Sequence, residues 1–234
     1  MRSFLILPLL AFIIALPAKC AGTELLSPAD RQIILVSAFT ATGDTERLRE
    51  AIDDGLDNGL AVNEIKEIMV QMYAYCGFPR SLNALNLLMN TVDGRKAAGK
   101  NDIQGAEASP VDTITDMSAH GEAVRTSLAG RPVTGRVYEF CPVIDEYLRS
   151  HLFGDIFARD NLSYRQREIA TSAALAAMNL EPQLRSHLSI CRNLGYTERE
   201  LRIFADIIST AMGEENGATV SRVLDSIFST SKQQ

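Results

Sequence analysis

The chain has 234 residues, 46% hydrophobic and 22% charged, with a net charge of −6 and no tryptophan. That composition is globular and excludes a disordered chain. The acidic balance, with no basic stripe or aromatic–basic cluster, excludes nucleic acid as an expected partner. Three histidines and four cysteines lie scattered without ligand spacing, so no metal site is expected, and no phosphate-binding loop is present.

Residues 1–22, MRSFLILPLLAFIIALPAKCAG, hold one early basic residue, an apolar run from Phe4 to Leu16, and small residues at Ala18, Ala21 and Gly22. This pattern predicts a secretory signal peptide cleaved between Ala18 and Gly22. The apolar run is too short to span a bilayer comfortably. The expectation is therefore an exported protein, periplasmic or secreted, with no membrane partner after cleavage. Lys19 stands where a small residue precedes a lipidated cysteine, which argues against Cys20 as a lipid anchor. Cys76, Cys141 and Cys191 then remain. They are odd in number and widely spaced, so they do not form a disulfide framework.

The rest of the chain reads as all-α. Ser27-Pro28 opens a helix, with Ser27 as N-cap, Pro28 at the first position and Asp30 in the first turn. Helical periodicity predicts further helices over 44–57, 62–76 and 79–97. Residues 98–115, AGKNDIQGAEASPVDTIT followed by no apolar period, are polar and turn-rich and read as a linker. Helices resume over 116–127, 140–157, 163–179, 182–194, 197–212 and 216–229, and no alternating strand pattern is found.

Residues 26–92 fall on 162–228 without a gap at an offset of 136. Leu26-Ser27 meets Leu162-Ser163, Arg31 meets Arg167, Gly59 meets Gly195 and Gly77 meets Gly213. Coincident glycines at helix ends indicate a duplicated helical unit. The expected division is a first repeat over 23–97, the linker, and a second repeat over 116–234. The second copy is better capped: Ser163 with Gln166 and Thr197 with Glu200 are capping boxes, whereas Ala61 stands at the position of Thr197.

Two stretches carry a resemblance: NGLAVNEIKEIMVQMYAYCGFPRSLNAL, and LFGDIFARDNLSYRQREIATSAALAAMNLEPQLRSHLSICRNLGYTERELRIFADI. Their ordered Asn-Gly, Tyr-x-Gly-x-Pro, Phe-Gly-Asp-Ile, Leu-Ser, Arg-Glu, His and Asn-x-Gly-x-Thr resemble the carboxymuconolactone decarboxylase family, which includes the alkylhydroperoxidase D-type enzymes. The resemblance implies an all-helical fold in a two-repeat form, no cofactor, and a homo-oligomer, commonly a trimer or hexamer. The peroxidase branch uses a glutamate, a Cys-x-x-Cys, and a histidine four residues later. Glu168 and His187 keep that glutamate–histidine spacing, but Leu180 and Gln183 occupy the cysteine positions. A peroxidatic thiol needs a thiolate and a resolving thiol, so the decarboxylase branch is the better match.

That branch loses carbon dioxide from an acidic lactone and protonates the carbon left behind. The resemblance implies Glu168 and His187 as the proton-transfer pair. Arg159, Arg167 and His151 are the candidates to hold an acidic or lactone substrate. The first copy has Gln32 and Ala51 at the positions of the pair and reads as scaffold. Cys191, one helical turn after His187, and Cys76 are the candidate thiols of an alternative peroxidase. For both, ordinary core packing is the competing reading. His120 reads as solvated. A further alternative is a non-catalytic helical assembly protein.

Overall fold

Ser27, Ser163 and Thr197 each start a helix by the same chemistry. The hydroxyls of Ser27 and Ser163 accept the backbone N–H of Asp30 and Gln166 at 3.0 and 3.3 Å. The Thr197 hydroxyl accepts that of Glu200 at 3.2 Å. The side chain three residues on returns the bond to the cap, which satisfies two otherwise orphaned donors at each start. The computed structural model describes residues 26–230, so the expected signal peptide with Cys20 lies outside the described residues.

The described residues form ten α-helices and one π-helix, with no strand among them. In chain order these are α1 (Pro28–Thr42), α2 (Thr45–Asp57), α3 (Val62–Ala97), α4 (Met117–Ala129), α5 (Arg136–Phe140), α6 (Pro142–Tyr147), the π-helix (Leu148–Ile156), α7 (Tyr164–Ala177), α8 (Glu181–Asn193), α9 (Glu198–Met212) and α10 (Glu214–Thr230). The all-α, two-copy architecture expected from the sequence is the one observed. The offset of 136 carries α2 onto α8 residue for residue and the start of α3 onto that of α9. Gly77 turns α3 with φ 81° and ψ 160°, and Gly213 separates α9 from α10 with φ 104° and ψ 162°. This backbone region is essentially confined to glycine, so the repeated residue encodes a repeated turn.

The counterpart helices α1 and α7 pack against each other at the centre. Ile33, Ile34 and Ala38 of α1 join Ile169, Ala170, Ala173 and Ala174 of α7 in one buried cluster. The alanines of α7 let the two axes approach. Polar groups then lock the copies across this seam. Glu67 of α3 meets Arg167 of α7 at 2.8 Å, and Gln71 of α3 donates to the Arg167 carbonyl and the Thr171 hydroxyl, both at 2.9 Å.

The turn-rich stretch expected as a linker contains no helix but is docked. Ala61 has no capping side chain, and the N–H groups of Val62 and Asn63 donate instead to the carbonyls of Ile103 and Gln104 at 2.9 and 3.0 Å. The linker thus supplies the cap that the first copy lacks. Asp102 anchors it by pairing with the buried Arg95 at 2.6 Å, and that guanidinium holds the Asp102 carboxyl below the usual carboxylate range.

One expected helix is divided. The span 140–157 begins inside α5, breaks at Cys141 (φ −134°, ψ 77°), continues as α6 and ends as the π-helix. Pro142 disfavours the helical conformation for the residue before it, which accounts for the break. The π-helix lies tightly on α4. A Cβ at Gly121 would meet the Arg149 carbonyl oxygen at 1.8 Å, so only glycine fits that crossing. Val124 and Leu128 of α4 join Leu152, Phe153 and Ile156 of the π-helix and Ile190 of α8 in a second, smaller apolar cluster.

Candidate active site

Helices α7 and α8 run consecutively and pack side by side, joined by a turn through Asn179 in the left-handed conformation (φ 57°). This brings Glu168 and His187 together. Glu168 Oε2 lies 2.7 Å from His187 Nδ1. The Glu168 side chain is 0% exposed and that of His187 13%. A carboxylate on Nδ1 orients the ring and leaves Nε2 as the nitrogen available for chemistry. The second oxygen, Glu168 Oε1, is buried with no hydrogen-bond partner among the described residues.

His187 lies in the wall of a cavity of ≈ 880 Å³. The cavity fills the seam between the two apolar clusters, bounded by α8, the end of the first half of α3, α4 to α6 and the π-helix. Glu168 stands behind His187 and does not line it. Tyr75 does, with its ring edge-on to His187 at 6.1 Å between centroids. The Tyr75 hydroxyl is buried near the Thr171 side chain without completing a hydrogen bond to it. Burial, and then the charge of Glu168, push the phenol pKa well above its ordinary value, so this hydroxyl remains a donor. In the sequence Tyr75 stands within the Tyr-x-Gly-x-Pro stretch at the turn of α3, where nothing marks it as facing a cavity.

The cavity wall contains Arg125, Arg131, Arg185 and Arg192 and no Asp or Glu. These are not the arginines expected from the sequence. Arg167 is 0% exposed and donates to Glu67, to Gln71 Oε1 at 2.9 Å and to the Arg159 carbonyl at 2.6 Å. Burial lowers its pKa and Glu67 acts in the opposite direction. Arg159 grips the same Glu67 with its Nε at 2.9 and 3.0 Å. Both are therefore occupied in the joint between the copies, and neither lines the cavity. His151 is also elsewhere: it bonds Asp155 at 2.7 Å and packs against Tyr73 on an exposed face. His120, read as solvated, is half-buried, and its Nε2 has no partner among the described residues.

The two candidate thiols are not placed as reactive groups. Cys191 is fully buried with its Sγ 3.6 Å from the Ser172 hydroxyl. Burial pushes its thiol pKa up, and the Glu168 charge pushes it further. Cys76 is half-buried and its Sγ contacts the Met72 carbonyl at 3.1 Å; burial raises its pKa too, although Arg80 opposes this. Among the described residues no group of three or more His, Cys, Asp or Glu is placed to hold a metal, and no helix is long and apolar enough to cross a membrane.

Comparison with known proteins bears on this arrangement. The model of the Carboxymuconolactone decarboxylase family matches residues 8–89 and 142–225. The first match begins inside the stretch expected to be a signal peptide. A curated protein named 4-carboxymuconolactone decarboxylase, from Acinetobacter baylyi, is 31% identical over 86 residues. The match covers 35% of this chain and 64% of that relative, so the chain spans less than two thirds of the relative's length.

Proposed function

Because the chain belongs to the carboxymuconolactone decarboxylase family, we propose that it is a cofactor-independent lyase acting on an acid or lactone by proton transfer. The observation that carries this reading is the 2.7 Å contact between a fully buried Glu168 and the cavity-lining His187. In a decarboxylation the C–C bond to the carboxylate breaks and carbon dioxide leaves. The electron pair stays on a carbon conjugated with the substrate carbonyl. His187 Nε2 delivers a proton to that carbon, and Glu168 holds the ring through Nδ1 and stabilises its charged form. Tyr75 holds the His187 ring from the cavity side with its own ring edge-on, while its hydroxyl stays buried beside Thr171. Arg131 of the cavity wall holds the acid, in place of Arg159 and Arg167. The first copy, with Gln32 and Ala51 at the pair's positions, contributes Tyr75 as a wall.

The test is a screen of purified protein against lactones and hydroperoxides, with and without reductant. Turnover of a lactone or acid without reductant supports proton transfer. Reductant-dependent consumption of hydroperoxide would support the thiol alternative instead. The cysteines give a second check. Cys76→Ser, Cys141→Ser and Cys191→Ala combined should leave turnover largely intact, and its loss in a folded triple variant would restore the thiol reading.

Export and homo-oligomeric assembly belong to the same proposal. The expected signal peptide supports the first. For the second, α5 and α6 bury none of their residues, and Phe140 (90% exposed), Val143 and Tyr147 stand in solvent. Apolar surface of that kind is commonly covered by a partner. Size-exclusion chromatography with light scattering should give a species larger than a monomer. A monomer at micromolar concentration would count against assembly.

A further inference from the structure

We propose that the cavity takes an amphipathic acid, with a single carboxylate on an apolar body of about ten carbons or more. This rests on the cavity being the substrate site and adds the class of substrate. Three observations point to it. The first is size: ≈ 880 Å³ lies near the top of the roughly 300–1,000 Å³ range that suits drug-sized ligands. A small lactone would leave most of that space to water.

The second is the wall. Leu148, Leu152, Phe153, Leu175 and Ile190 form an apolar lining. Val137 and Ile144 line the same cavity, yet they are 58% and 41% exposed. An apolar ligand body lying along them would take that surface out of water.

The third is the charge count. Arg125 is already bonded to Glu122 and Asp145, Arg185 to Glu181, and Arg192 to the Ile227 carbonyl. Arg131, at the exposed turn after α4, is the lining arginine that makes no hydrogen bond or ion pair among the described residues. One uncommitted cation, with no carboxylate on the wall, suits one carboxylate and disfavours an amine.

The experiment is a calorimetric titration with straight-chain alkanoates from hexanoate to dodecanoate, kept below their micelle-forming concentrations. It uses both the wild-type protein and His187→Ala. Alkylammonium ions of matched length and the short dicarboxylate adipate serve as comparisons. Affinity should rise about fourfold per added methylene. Alkylammonium ions should bind about tenfold more weakly or worse, and adipate more weakly than dodecanoate. Arg131→Ala and Val137→Asp, both at exposed positions, should keep the helical circular-dichroism signal and weaken dodecanoate binding.

The proposal is overturned by an affinity that does not change with chain length, by equal binding of the ammonium series, by adipate binding more tightly than dodecanoate, or by two folded variants that bind dodecanoate as wild type does. His187→Ala separates the two readings. A chain-length series retained in that variant supports the ligand class whether or not proton transfer is found. A flat series in a turnover-competent protein overturns the ligand class alone.

Discussion

Replacing His187 with Ala, or Glu168 with Gln, is expected to lower turnover by about 10²–10⁴-fold, the contribution of a positioned acid–base group. The two substitutions act on different halves of one device. His187→Ala removes the group facing the cavity. Glu168→Gln leaves the ring in place but removes the charge 2.7 Å from Nδ1 and alters which nitrogen carries the proton. Their effects should not add, because each disables the same step. The double variant should fall little below the worse single. His187 is nearly buried, so each variant's helical circular dichroism and melting transition must be checked beside the rate. Near-wild-type turnover in both folded single variants would sink the proton-transfer reading.

Glu67→Gln is expected to destabilise the fold by about 3–5 kcal/mol, because it strands a fully buried guanidinium without its counter-charge. Arg167 is 0% exposed, and Glu67 is the carboxylate that faces it across the joint between the copies. Whole-domain stabilities are commonly about 5–15 kcal/mol, so the variant should sit close to unfolding at ambient temperature. Its melting temperature should drop by roughly 6–20 °C, given about 2–4 °C per kcal/mol for a chain of this size. Arg159 is more exposed than Arg167 and can turn to water when Glu67 is lost. A double-mutant cycle with Arg167→Met, followed by chemical denaturation, should show a coupling of about 1–3 kcal/mol. Simple additivity would mean that the two charges do not sense each other.

Much of the fold was legible because its signals are local. The three hydroxyl caps, the paired glycines at 77 and 213, and the offset of 136 are all readable without knowing what packs on what. The division of the expected 140–157 helix is also written locally, in Pro142. The docking of the linker was not local. Val62 and Asn63 need acceptors because Ala61 cannot cap them, but only the folded chain shows that Ile103 and Gln104 provide them.

The candidate site divides the same way. By itself the sequence determined the helical class, the duplication, the spacing of Glu168 and His187, and the absence of cysteines at Leu180 and Gln183. A fixed separation along two joined helices decides which side chains meet, so that pair could be anticipated. Which arginines face the cavity was decided only by tertiary structure. Arg167 and its repeat counterpart Arg31 occupy equivalent helical positions, yet one is fully buried against Glu67 and the other is exposed. Position 203, the counterpart of Glu67, is an isoleucine, so the second copy offers Arg31 no such carboxylate. A long charged side chain has no preference of its own strong enough to choose between a cavity, a buried partner and water. The partner that packing brings within reach makes that choice, and for Arg159 and Arg167 it is Glu67.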